Sequence, residues 1–349
     1  MHAPITIRDV ARLAEVHPGT VSRALNPQTR SLVNSDTAAR VLAAADELGY
    51  RPNSMARGLK TSRSFTVGVL VPDLTNPLFP PIVRGIDDRL TLDGYTPLLV
   101  NTDSDPERER ASIETMLARQ VDGFIAATAR LDVEPLDEAI ARGLPVVLVN
   151  RTFEDGSISA CTVDDQRGSQ LAVQHILGLG HTRIGYVAGP QNVSTGHRRY
   201  LGFVAAMEAA GIEIAPGDVS FAAAFRELAG AQACAELLRC DPGLTAIVTA
   251  NDRLAIGCYD TLAQLGLRCP QDISVIGFND MLFIDRLRPP LSSVRVPQRE
   301  IGYAAADLLL DQLTDGSAGP REVLLEPSLV VRGSTAAPSL RDAAAGPGA

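Results

Sequence analysis

Thr6-Ile7-Arg8-Asp9-Val10-Ala11-Arg12-Leu13-Ala14, and shortly after it Pro18-Gly19-Thr20-Val21-Ser22-Arg23-Ala24-Leu25-Asn26, decide how the first fifty residues fold. Ile7, Val10, Ala11 and Ala14 recur at the i, i+3, i+4, i+7 spacing of a short amphipathic helix, with Thr6 before them as N-cap and Asp9 three residues later. Pro18 suits the first position of a second helix, because its missing N–H is one that no helix start can pair. The inward residues of that helix are Val21 and Leu25. A third helix is predicted from Asn34 as N-cap through Val41, Leu42, Ala45 and Leu48 to Gly49, whose left-handed conformation stops it. Three short helices with a tight turn between the first two make a helix-turn-helix, although a generic three-helix protein-binding module has the same outline.

Charge supports the first reading. The chain of 349 residues carries a net charge of -9, but unevenly. Residues 1 to 63 hold nine Lys or Arg against five Asp or Glu, a net of +4, while the remainder holds 23 against 36, a net of -13. A basic head can hold phosphates while an acidic body stays off the nucleic acid. Lys60 is the single lysine, which excludes enzyme classes that need a lysine in the pocket, such as P-loop and Schiff-base enzymes. The five cysteines are odd in number and show no Cys-x-x-Cys pair, so they read as reduced core thiols, and no metal or organic cofactor is expected.

From residue 65 onward apolar runs of strand length alternate with helical patterns, at Phe65–Val71, 97–100, 123–127, 145–149, 184–188, 246–249 and 275–278. Such alternation means parallel βαβ units. It occurs twice at similar spacing, with 159–165 and 291–297 as strands crossing between the halves, so two Rossmann-like lobes flank a cleft. Ligands of such sheets bind beyond the carboxyl ends of the strands. There the sequence places Asp73, Asn150-Arg151, Asp164-Asp165, Asn251-Asp252 and Asn279-Asp280. Taken singly, each polar residue could instead cap a helix; their repetition in both lobes favours a shared ligand. Beyond Ser334 the chain turns to Ala, Pro and Gly and is expected to be a disordered tail.

These residues closely resemble the LacI/GalR family of bacterial transcription regulators. The likeness rests on the head segments quoted above and runs through the body. It includes Leu179-Gly180-His181-Thr182-Arg183-Ile184-Gly185, Arg199-Tyr200-Leu201-Gly202-Phe203 and Val275-Ile276-Gly277-Phe278-Asn279-Asp280. The resemblance implies a small all-α helix-turn-helix head (1–50), a hinge (51–64), an α/β two-lobed sensor like the sugar-binding periplasmic proteins (65–334) and a tail (335–349). It puts Thr20, Ser22 and Arg23 on the groove-facing side of the second helix, flanked by Thr6, His17, Pro18, Gly19 and Asn26. In the hinge it makes Leu59 a minor-groove wedge, with Ala56 beside it and Arg57 near the phosphates.

For the effector it implies Leu78 and Phe79 as apolar walls, Asn150, Arg199, Asn251 and Asn279 as polar contacts and Phe225 as a stacking face, to which the strand-end reading adds Asp73, Arg151 and Asp280. Departures from the family pattern are Glu15 where Gly is usual, His17 in place of a Ser cap, and Pro18 and Gly19 where base-reading side chains usually stand. Asn279 replaces a frequent Asp. The expected function is a repressor, not an enzyme, acting as a homodimer on a pseudo-palindromic operator and controlled by a sugar or sugar derivative. Sensing of a purine or a phosphorylated metabolite, or a plain solute-binding role, are the alternatives. With neither a signal peptide nor an apolar run of membrane-spanning length, a cytoplasmic location is expected.

Overall fold

The computed structural model describes residues 5–26, 29–50, 63–131, 136–316 and 319–339, which fall into two compact units, one ending at Phe65 and the other beginning at Thr66. The hinge positions Ala56, Arg57 and Leu59 lie outside the described residues.

In the first unit, α1 spans Ile7–Leu13, α2 Pro18–Leu25 and α3 Ser35–Glu47. The cap of α1 forms as expected: the Thr6 N–H donates to the Asp9 carboxylate at 2.9 Å and the Thr6 hydroxyl donates to it at 2.7 Å. Those bonds hold the Asp9 carboxyl below its ordinary range. At the other end of α1 the Val16 N–H reaches back to the Ala11 carbonyl at 3.0 Å, which requires the residue between to be left-handed. That residue is Glu15, at φ 51°. The Asn34 side chain accepts from the Asp36 N–H at 2.9 Å, and Gly49 closes α3 at φ 62°.

Val10, Val21 and Val41 are fully buried with six alanines in one cluster, against which the partly buried Ile7, Val16, Leu25, Val33, Leu48 and Tyr50 pack from the rim. Leu42, expected inside, is exposed, because the residues of α3 that turn inward are Ala38, Val41, Ala44 and Ala45. The sequence reading also missed a 3-10 turn at Arg30–Leu32, from which Arg30 Nε donates to the Ala24 carbonyl at 2.9 Å and ties down the last turn of α2.

The second unit has two six-stranded sheets. In the first lobe β1 (Thr66–Val71), β2 (Thr96–Asn101), β3 (Gly123–Ala126), β4 (Val146–Val149) and β5 (Ser159–Val163) alternate with α4 (Phe79–Leu92), α5 (Pro106–Ala118) and the short α6 (Asp137–Ala141). In the second lobe α7 (Asp165–Gly178) leads to β6 (Ile184–Ala188), α8 (Ser194–Ala209), β7 (Val219–Phe221), α9 (Glu227–Cys240), β8 (Ala246–Thr249), α10 (Asp252–Gln264), β9 (Ser274–Asn279) and β10 (Ser292–Arg295). The chain then returns through α11 (Gln298–Thr314) to β11 (Glu322–Leu325) in the first sheet and ends on β12 (Ser328–Val330) in the second. Strand orders are β11-β5-β4-β3-β1-β2 and β12-β10-β9-β8-β6-β7, all parallel except the β10–β12 pair. The central strands are buried on both faces, as sheets covered by helices on each side require.

Two expectations about the crossings need correction. The segments beginning at Ser159 and Leu291 are ordinary members of their own sheets, and the chain changes lobe only after each strand ends. A third crossing, unforeseen, follows β11. The tail is corrected too: His175 Nε2 lies 2.9 Å from the Thr335 hydroxyl, His181 Nε2 lies 2.7 Å from the Ala336 carbonyl, and Ser274 Oγ bonds both the carbonyl and the N–H of Ala336 at 3.1 Å. Residues 335 and 336 are therefore part of the second lobe. Of the cysteines, Cys161, Cys234 and Cys258 are core thiols as expected, whereas Cys240 is exposed. Among the described residues no helix is long and apolar enough to cross a membrane.

A left-handed non-glycine residue costs on the order of 1 kcal/mol. Glu15→Gly is expected to raise the stability of the first unit by about that amount. Urea unfolding followed by amide exchange of α1 and α2 reads it, and a neutral or destabilising result would show that Glu15 makes a compensating contact.

Candidate functional site

The first candidate surface lies on α2. Its inward side is fixed by Val21 and Ala24, so helical geometry turns Ser22 and Arg23 to solvent, where both are exposed, while Thr20 is half-buried. His17 spends its Nδ1 on the Gly19 N–H, 3.1 Å away, and thus acts as the N-cap. The Thr6 hydroxyl is turned to Asp9, and the Asn26 carbonyl accepts from Thr29 and Arg30, linking α2 to the following turn. The exposed group of this surface with the strongest hydrogen-bonding capacity is Arg23. Pro18 and Gly19 present no hydrogen-bonding side chain.

The second candidate site is at the carboxyl ends of the strands in the second unit. Asp73 follows β1 in the first lobe and meets Arg253 of the second lobe at 3.1 Å, while Arg253 is itself held by Glu227 through two bonds of 2.8 and 2.9 Å. The lobes also touch where the Thr152 N–H donates to Ser194 Oγ at 3.0 Å and the Leu131 N–H to the Asn192 carbonyl at 2.9 Å. Leu78 and Phe79, at the start of α4, are buried. Phe225 is half-buried with its ring on Gly189, where an added Cβ would come within 2.3 Å of it, so only glycine lets the ring lie there.

Arg199, on α8, is the largest enclosed side chain of the chain's described part. Its Nε donates to Asp165 at 2.7 Å, its Nη1 to the Ala250 carbonyl at 2.7 Å, and its guanidinium carbon lies 3.8 Å from the centre of the Phe278 ring. Burial raises the Asp165 carboxyl pKa, and the neighbouring guanidinium opposes that rise.

The remaining strand-end residues divide into two kinds. Asn251 caps α10, its side chain accepting from the Leu254 N–H at 2.9 Å, and Asp164 caps α7, accepting from the Arg167 N–H at 2.9 Å. Asp280 is taken up by Arg295 and Arg332 at 2.7 and 2.6 Å. Asp252, fully buried, is pushed up to about 7 by desolvation, against bonds from the Ser293 hydroxyl (2.6 Å) and the Met281 N–H (2.8 Å). By contrast, the side-chain oxygens of Asn150 and Asn279 are buried with no hydrogen-bond partner, and so is Nε of Arg151. Both asparagines have positive φ, 66° and 115°, which sets them at sharp turns where the strands end.

Sequence reasoning missed Arg253, Ser194 and Gln298, whose amide nitrogen donates to the Asn279 carbonyl at 2.9 Å. They are the first or second residues of helices, so a search of strand ends passes over them. His181 is buried between Thr245, 2.8 Å away, and Ala336, away from the strand-end acids. A cavity of about 530 Å³ walled by Tyr259, Leu262, Cys269 and Pro289 borders the opposite, amino ends of β9 and β10.

A basic helix-turn-helix unit followed by a two-lobed α/β unit with unsatisfied polar atoms at its strand ends is the architecture of a ligand-responsive DNA-binding protein. Residues 6–53 match the model of the bacterial regulatory proteins, lacI family, and residues 173–335 match a periplasmic binding protein-like domain. The ribose operon repressor of Escherichia coli K12 is 34% identical over 331 residues, covering 94% of this chain and 99% of that protein. Among solved structures, the lac repressor dimer bound to operator and the anti-inducer ONPF aligns with TM-score 0.81 at 30% identity, covering 96% of this chain and 100% of that one. A LacI family regulator from Enterococcus faecium with bound ribose aligns with TM-score 0.70 at 33% identity, covering 78% and 100%. The chain belongs to the LacI family of bacterial transcription regulators.

Arg199→Ala would strand the buried Asp165 carboxylate, a loss of about 3–5 kcal/mol for a broken buried pair. Replacing both residues by apolar ones, as Arg199→Met with Asp165→Leu, should cost less than Arg199→Ala alone. Denaturant unfolding of the wild type, Arg199→Ala and the double variant checks this; a double variant that loses as much stability as Arg199→Ala or more would mean that a stranded carboxylate is not what Arg199→Ala costs.

Proposed function

We propose that this chain is a cytoplasmic, non-enzymatic transcription repressor that binds a pseudo-palindromic operator as a homodimer and is controlled by a sugar or sugar derivative held between the two lobes. The observation that carries the sensor half is the pair of buried, unpartnered amide oxygens, Asn150 in the first lobe and Asn279 in the second. A buried polar atom without a partner costs roughly 1–3 kcal/mol, and a polyol hydroxyl supplies the missing donor to each. Asn150, Asn279 and Arg151 form the polar centre of the proposed site, Leu78, Phe79 and Phe225 its apolar surfaces. Arg199, Asn251, Asp73 and Asp280 act chiefly by fixing the strand ends. The names of the relatives, a ribose operon repressor and ribose-bound regulators, support a sugar.

The DNA half rests on the exposed side of α2. Arg23 is the group proposed to reach phosphate or a guanine edge, with Thr20 and Ser22 hydroxyls on phosphates. Because Pro18 and Gly19 carry no hydrogen-bonding side chain, sequence reading shifts to Arg23 and to the hinge, where Leu59 is proposed as the wedge between Ala56 and Arg57.

The test couples the halves. Fluorescence anisotropy on DNA selected by the full-length protein should show Arg23→Ala losing at least tenfold in operator affinity, about 1.4 kcal/mol, while its response to effector persists. Equal operator affinity would remove Arg23 from the interface. Thermal unfolding against a sugar panel should show one class raising the melting temperature, by linkage roughly 2.7 kcal/mol at a hundredfold excess over Kd. A flat panel together with intact operator binding would sink the sugar sensor alone.

A further inference from the structure

Carboxylates and guanidinium groups at the strand ends are not equally satisfied. Asp73 is paired with Arg253, Asp165 with Arg199, and Asp280 with both Arg295 and Arg332, while Asp252 accepts from Ser293 and the Met281 N–H. Each acid there already has its partner. Arg151 does not. It is about nine-tenths buried, its Nε has no hydrogen-bond partner, and the carboxylate whose field acts on it, Glu109, is bonded to the Thr128 hydroxyl instead.

Its position is between the lobes. Asn150 precedes it at the end of β4, Thr152 follows it and bonds Ser194 of the second lobe at 3.0 Å, and Arg151 feels the charge of Arg199 from that same lobe. Burial holds its pKa down to about 10, with the Arg130 and Arg199 charges acting in the same direction and the Glu109 carboxylate acting against them.

Building on the sensor reading above, we propose that the effector is a hydroxylated anion, a sugar acid or a sugar phosphate, whose anionic oxygens lie on the Arg151 guanidinium while its hydroxyls donate to the Asn150 and Asn279 side-chain oxygens. The three unsatisfied groups call for this mixture of chemistry. A planar guanidinium offers a fork of donors that fits two oxygens of a carboxylate or phosphate, and hydrogen bonds to a charged acceptor are roughly twice as strong as neutral ones. A neutral sugar can bond the same donors, but it brings no negative charge to a buried guanidinium on which two further cations, Arg130 and Arg199, act against the single carboxylate Glu109. With Asn rather than Asp at 150 and 279, neither position adds a negative charge that would repel the anion.

The experiment is isothermal titration of the full-length protein with matched pairs: D-galactose and D-galacturonate, D-glucose and D-gluconate, D-ribose and D-ribose 5-phosphate, with inorganic phosphate alone as control. One anionic probe should bind at least tenfold tighter than its neutral partner, and which pair shows the gap separates the carboxylate source from the phosphate source. Arg151→Gln should shrink that gap to threefold or less, whereas Arg151→Lys should keep part of it, and unliganded melting temperatures establish that both variants fold. A neutral sugar that binds as tightly as its acid or ester, or an Arg151→Gln variant that weakens both partners by the same factor, overturns the anion and leaves the sugar sensor standing. Silence of every probe overturns both, and binding of inorganic phosphate as tight as that of the sugar phosphate overturns the role given to the two asparagines.

Discussion

The second lobe is organised around one buried ionic contact, the Arg199 guanidinium held by Asp165 and the Ala250 carbonyl and lying on the Phe278 ring. Those three partners come from the start of α7, the end of β8 and the end of β9, so a single side chain joins the crossover from the first lobe to the carboxyl edge of the second sheet. Taking both charges out of water costs several kcal/mol each, and an apolar cluster of equal volume could match the pair in stability. What an apolar cluster lacks is direction. The guanidinium fixes where the strand ends lie, and thereby where Asn279 and the loop after it emerge.

The same constraint explains why the helices around this contact are so close. At Gly202 an added Cβ would sit 2.4 Å from the Gln166 carbonyl, so α8 can lie directly on α7 only because that residue has no side chain. Close backbone approach carries Arg199 down to Asp165. The lobes are then joined by three chain crossings and by the Asp73–Arg253–Glu227 bridge, with Arg253 in two bonds to one acid and one to the other. A bridge of this kind already favours closely spaced lobes, and a ligand touching both adds to a preference that the protein has by itself.

Much of this was legible in the sequence where the cause is local. The Thr6–Asp9 cap and Pro18 at the start of α2 follow from neighbours within five residues. The buried strands could be read from their unbroken apolar runs. β7, β11 and β12 escaped because they are short edge strands with exposed positions, which carry neither an apolar run nor a clean alternation. Leu42 was misplaced because the inner face of α3 is made of alanines, whose pull on a periodicity count is weak. Thr335 and Ala336 looked like tail because their anchors, His175, His181 and Ser274, lie 60 or more residues away.

The candidate site was legible as a place but not as a set of roles, and the reason is physical. Position at a strand end says that a polar residue borders the cleft; whether it is free to bind depends on partners chosen by the fold. Asp280 could not be known to be spent until Arg332, 52 residues on, was placed beside it, nor Asn251 until its oxygen was seen on the Leu254 N–H. Subtracting the satisfied groups leaves Asn150 and Arg151 on one lobe and Asn279 on the other. A ligand that satisfies all three must touch both lobes at once, so in the proposed reading the groups that select the effector are also the groups through which its binding free energy acts on lobe spacing. The first lobe begins at β1, so a preference imposed on that lobe acts at the point where the chain enters it from the first unit.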